Sequence, residues 1–208
     1  MSLTISDEAF NLIVTQEDTG EQYYRKHYTH FEWPGGASGP TIGIGYDCGY
    51  CTSGEIRIDW DGIVDDPTID RLVRACGLRG ELAAAFVRQH GQSVTIGWDE
   101  AIKEFRYREI PKWINRVSHA LPHCDLLSAD SLGALVSLSY NRGTGGFNDP
   151  HPRDAEMRAI KVHMATQSFS HIPSDIRSMT RLWPSVPGLQ KRRVAEANLF
   201  EKGLAAHA

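Results

Sequence analysis

Thr41, Asp47 and Glu17 are the residues whose types and spacing could do chemistry. Read as a strand, Thr41-Ile42-Gly43-Ile44-Gly45-Tyr46-Asp47 alternates faces. Thr41, Gly43, Gly45 and Asp47 point one way, and Ile42, Ile44 and Tyr46 point toward a core. A hydroxyl and a carboxylate separated by two positions without side chains suit a polymer lying across the strand, since glycine there weakens the strand and permits close approach. The plain alternative is a barren sheet edge with glycines at bulges. Glu17 falls at helical spacing from Phe10 and Ile13, on the apolar side of a first helix. Burial would raise its pKa toward that of a general acid, whereas a carboxylate ending a helix is ordinarily solvated. A raised glutamic acid facing an ionised aspartate is the pairing that glycoside hydrolysis uses. Glu32, just before Trp33-Pro34-Gly35-Gly36, is a competing carboxylate.

The elements that must position these groups follow from periodicity and punctuation. Residues 1–16 predict a helix, with Thr4 or Ser6 as cap and Asp7 and Glu8 in its first turn. From Tyr23 to Trp60, aromatic and β-branched residues punctuated by glycines predict a small irregular sheet. Beyond Pro67 the pattern turns helical, near 68–76, 79–90, 99–118, 129–141, 153–167, 174–182 and 189–203. The expected class is α+β, a small β lobe plus a larger helical lobe with a cleft between them. One catalytic domain spans 1–208, with the first helix and β lobe over 1–66 and the helical lobe over 67–208.

Composition narrows the function classes. A net charge of −4 argues against a general nucleic-acid binder, although residues 153–193 are locally basic, either to meet an anionic polymer or as ordinary solvated charge. No apolar run is long enough to span a bilayer, so no stable membrane insertion is expected. The opening MSLTISDEAF lacks the pattern of a secretory signal peptide. Cys48, Cys51, Cys76 and Cys124 read as free thiols, although Cys48 and Cys51 form a CxxC pair. That pair has no second ligand pair at finger-like spacing and HExxH is absent, so neither a metal nor another cofactor is expected. No GxSxG elbow supports a nucleophilic hydrolase.

Four ordered segments resemble the phage-type lysozymes and endolysins. They are Glu17 followed by Tyr24, TIGIGYD at 41–47, SLSYNRG at 137–143, and Trp183 with PGLQKRRVAEANLF at 187–200. The resemblance implies a lysozyme-like fold, Glu17 as the catalytic acid, and Thr41 as the threonine opening the family's strand. Many members carry an aspartate or cysteine six residues before that threonine, where this chain has Gly35. Asp47 instead resembles the pesticin-like placement, six residues after it.

The implied activity is inverting hydrolysis of the β-1,4 bond between N-acetylmuramic acid and N-acetylglucosamine in bacterial peptidoglycan. Glu17 would protonate the leaving oxygen, while Asp47 and Thr41 would hold and polarise the attacking water. Glu32, Gly43, Gly45, Tyr46, Tyr140, Asn141 and Arg142 would border the substrate, Asn141 alternatively serving the helix C-terminus. Arg192 or Arg193 resembles the family arginine near the glutamate, with an ion pair to Glu196 as the alternative. A lytic transglycosylase and an inactive wall-binding module remain the other readings. A monomer made in the cytoplasm is expected, reaching the wall through holin release or a secretion machine. An immunity protein or secretion carrier is a possible partner, and the role is that of an endolysin, an injected effector or a bacteriocin domain.

Overall fold

The computed structural model describes the backbone of residues 3–18 and 20–206, and their side chains apart from 16–18. The chain divides into two compact units, Met1–Gln16 with Ile110–Ala208, and Glu17–Glu109. The composition change near residue 66 falls inside the second of these.

The Glu17–Glu109 unit is built around a very small antiparallel sheet. It contains α2 (Glu21–His27), β1 (Thr41–Ile42), β2 (Tyr46–Asp47), α3 (Ser53–Trp60), α4 (Asp66–Val73), α5 (Glu81–His90) and α6 (Trp98–Glu104). Most of 21–60 is therefore helix or irregular, where glycine and aromatic density predicts sheet. Local capping explains the difference at α3, where Thr52 and Glu55 form a reciprocal capping box. Asp65 caps α4 through the Thr68 amide, and Pro67 sits in its first turn, where a missing N–H costs nothing. Tyr24, Phe31, Ile42, Ile44, Ile56, Trp60, Leu72, Ile96 and Phe105 are buried in this unit. The Tyr24 hydroxyl donates to the Ile96 carbonyl at 3.0 Å, and its ring meets Trp98 edge-on, which fixes α2 in place.

The other unit is helical among its described residues. It takes in most of α1 (Asp7–Asp18), then α7 (Ile110–Ala120), α8 (Ala129–Arg142), α9 (Ala155–Ala165), α10 (Ile172–Ser178) and α11 (Pro187–Ala205). Residues Ser131 to Ser139 of α8 are all buried, so this helix forms the centre of the unit, with α7 and α11 packed on it. Ser128 caps α8, and the Ser131 hydroxyl ties it to the Phe200 carbonyl of α11 at 3.0 Å.

The helix expected over 99–118 forms, but a single π turn at Phe105–Glu109 separates α6 from α7. The other helices beyond Pro67 lie close to their expected ranges. Among the described residues, no helix is long and apolar enough to cross a membrane.

Candidate functional site

The segment 41–47 is not one strand but a hairpin. Thr41 pairs with Asp47 and Ile42 with Tyr46. The chain reverses over Gly43, Ile44 and Gly45, and both glycines have positive φ, 63° and 73°. Their role is thus to make the turn, in backbone conformations that L side chains adopt only with strain. The period-two expectation for this stretch is corrected accordingly. Gly43 is buried in the turn, against Trp60 and Ala101, and Tyr46 is 5 % exposed, its hydroxyl donating to the buried Asp59 at 2.9 Å, so these two are framework and not a binding surface.

Thr41 and Asp47 nevertheless remain neighbours, for a different reason from the one expected. Directly opposed residues on antiparallel strands project to the same face. A second pairing extends the row: Glu32 and Thr41 form an antiparallel bridge, exchanging both backbone hydrogen bonds at 2.8 Å. Because the Thr41 amide and carbonyl are committed to Glu32, Thr41 and Asp47 form the non-hydrogen-bonded kind of pair, consistent with the next bond running from the Cys48 amide to the Pro40 carbonyl at 3.0 Å. Such pairs stand about 4.5 Å apart at Cα, and the hydrogen-bonded kind about 5.5 Å. Glu32, Thr41 and Asp47 consequently make a row of carboxylate, hydroxyl and carboxylate.

The two ends of the row differ. Asp47 is half-buried and rigidly held, its carboxylate accepting from the Gly39 amide at 3.1 Å and from the Gly49 amide at 2.9 Å. Only glycine fits at 39, where a Cβ would collide with the Asp47 carboxylate and the Gly49 backbone. The Thr41 hydroxyl donates to the Gly39 carbonyl at 3.2 Å, leaving its lone pairs as acceptors. Glu32 is exposed, yet partial desolvation raises its pKa above the usual glutamate value, with His27 opposing the shift.

His27 also belongs to an aromatic cluster. Tyr23 lies 4.3 Å from it and 5.6 Å from Tyr28, centroid to centroid, and Tyr23 is 44 % exposed. The i, i+4 spacing of Tyr23 and His27 carries this signal in the sequence, where it went unused. Beyond Asp47, the exposed Tyr50 ring sits under the Arg79 guanidinium at 4.9 Å.

Glu17 lies in the last turn of α1, but its side chain falls outside the described residues. Tyr140, Asn141 and Arg142 belong to the other unit, at the end of α8. Tyr140 packs on Trp113 with centroids 5.1 Å apart. Asn141 accepts from Arg193 at 3.2 Å, and the Gly143 amide closes the helix by donating to Ser139. Arg142 is ion-paired with Asp154 at 2.6 Å and faces the Trp183 ring, which also meets Arg153 and Arg193. Its charge is therefore neutralised within the helical unit.

Both Arg192 and Arg193 are buried, and both bond the fully buried Glu196, at 3.1 and 2.9 Å. The ion pair to Glu196 expected as the alternative therefore forms, with both arginines, but in the interior and not at the surface. Burial pushes the Arg193 guanidinium down to about 10 and the Glu196 carboxyl up, each partly offset by the opposite charge.

A family model described as a domain of unknown function, DUF8812, matches residues 12–125. The chain belongs to this family. The DUF8812 segment contains Glu17, Glu32, Thr41 and Asp47, and ends before α8. Comparison with curated proteins finds no match.

Proposed function

We propose that this chain is an N-acetylmuramidase of lysozyme-like fold that cleaves the β-1,4 bond of bacterial peptidoglycan with inversion. The reading rests on one observation, the cross-strand row of Glu32, Thr41 and Asp47. Two carboxylates flanking a hydroxyl, held by backbone pairing, can orient a water for attack on a glycosidic carbon. Asp47 is the base: its two amide donors fix the carboxylate in one orientation. Thr41 accepts from the same water and aims it. Glu17 donates the proton to the leaving oxygen, the role its resemblance to the phage-type lysozymes implies. Glu32 lines the substrate path, and the exposed ring of Tyr23, packed against the half-buried His27, offers sugar rings an apolar face. Peptidoglycan is the polymer substrate, and the protein reaches it through holin release or a secretion machine.

Digestion of purified peptidoglycan by the purified protein tests this reading. The expected products are muropeptides ending in reducing N-acetylmuramic acid, released first as the α-anomer. Anhydro-muropeptides would replace the reading with a lytic transglycosylase. Sedimentation with the wall and no soluble product would replace it with a binding module.

A further inference from the structure

The Glu17–Glu109 unit gathers three of the four cysteines in one place. Cys48 is buried, Cys51 and Cys76 are half-buried, and none of the three forms a disulfide. The Cys48 carbonyl accepts from two amides, those of Cys51 and Gly77, each at 3.3 Å. One acceptor shared in this way brings the turn that carries Cys51 against the chain leaving α4. Side chains close the remaining gap. The Cys76 Sγ donates to the Cys51 carbonyl at 3.0 Å, and the Cys51 Sγ donates to the Asp47 carbonyl at 3.4 Å. These are weak bonds of rotatable thiols, and the Cys51 thiol meets the Tyr46 hydroxyl as well, so turning χ1 breaks them without moving the chain. Cys48 is the poor nucleophile of the three: burial, and then the proximity of Cys51, Asp47 and Cys76, push its thiol well above the ordinary value. No group of three or more His, Cys, Asp or Glu side chains among the described residues is arranged to hold a metal ion.

We propose that Cys51 and Cys76 are a cross-linking site, joined as a disulfide when the folded protein meets a low-molecular-weight disulfide such as oxidised glutathione. The Cys76 thiolate attacks one glutathione sulfur, forming a mixed disulfide and releasing one glutathione thiolate. The Cys51 thiolate then attacks the Cys76 sulfur, forming the Cys51–Cys76 bond and releasing the second glutathione. The two cysteines lose two electrons and two protons; the glutathione disulfide takes up both electrons and becomes two thiols. Partial exposure of both cysteines admits the reagent, and the buried Cys48 is passed over. The bond closes a loop of 25 positions that contains α3 and α4. Its formation does not depend on the muramidase reading.

The test treats native protein with oxidised glutathione, alkylates it with N-ethylmaleimide without unfolding, and maps peptides by mass spectrometry under non-reducing conditions. A peptide pair joining Cys51 to Cys76, with Cys48 and Cys124 still reduced, is expected. The melting temperature should rise by roughly 5–10 °C over that of the reduced protein, through loss of unfolded-state entropy. Cys76→Ser and Cys51→Ser should each abolish the link and the rise, whereas Cys48→Ser should keep both. A link between Cys48 and Cys51, glutathione adducts alone, or full alkylation of Cys51 and Cys76 would overturn the proposal. The wild-type map decides the matter even where a serine variant folds poorly.

Discussion

Two carboxylates in this molecule are handled in opposite ways. Asp47 is half-buried at the end of a two-residue strand and is satisfied by the backbone amides of Gly39 and Gly49. Glu196 is fully buried on α11 and is met by two arginines and the Ser137 hydroxyl, the last at 2.7 Å, while its Oε2 has no hydrogen-bond partner. Backbone amides hold a charge in place without neutralising it, and they leave the outer lone pairs for another group. Arginines neutralise the charge and shut it away. The first arrangement is the one the proposed hydrolysis calls for. The second serves the packing of α8 against α11, because a buried charge persists only when matched.

The comparison breaks most visibly at the proposed acid. Glu17→Gln is expected to fold and to lose about 10²- to 10⁴-fold in turnover, the usual contribution of general acid–base catalysis. Release of muropeptides, with circular dichroism as the folding control, measures it. Undiminished release would remove Glu17 from the reaction.

Glu196→Ala should behave in the reverse manner, as a folding defect. Removing the carboxylate that meets the fully buried Arg193 leaves that guanidinium without its ion pair, at a cost of about 3–5 kcal/mol. Urea unfolding followed by tryptophan fluorescence reports this cost. A variant of wild-type stability would show that water already reaches the pair.

Gly39→Ala tests whether the hold on Asp47 is steric as well as hydrogen-bonded. The new methyl would press on the Asp47 carboxylate and the Gly49 backbone. Overpacking of this kind costs about 1–3 kcal/mol, and kcat should fall more than KM rises. Equal loss through KM alone would assign Gly39 to substrate binding.

The smallest effect is expected at the exposed end of the row. Glu32 already titrates above an ordinary glutamate because of desolvation, and the nearby His27 draws it back down. Replacing His27 with Gln removes the opposing cation, so the Glu32 pKa should climb further. A carbon-13 titration of the Glu32 carboxyl follows it directly. A fall would mean that His27 acts on Glu32 through packing and not through charge.

Much of this was legible in the sequence, although not always for the right reason. The helices beyond Pro67 could be placed because capping residues and apolar spacing are local signals. That Thr41 and Asp47 stand together was also anticipated, but from a straight strand in which residues six apart share a face. The hairpin brings them together by pairing, and the glycines that suggested a thin binding surface are its turn. Expecting sheet over 23–60 failed at α2 and α3 because aromatic and glycine content does not register a capping box such as Thr52 with Glu55. Glu32 looked like a rival to Asp47, and the fold makes the two carboxylates opposite ends of one row.

By itself, the sequence determined what depends on neighbours along the chain: caps, helix periods, and the types of side chain available for acid–base work. Only the tertiary structure decided which distant residues share a surface or a core. It set Glu32 beside Thr41, Cys76 beside Cys51, and Arg192 and Arg193 out of reach of water. Register between strands and the packing of one helix on another are fixed by the sum of many weak contacts across long loops. No single residue type or spacing encodes such a sum.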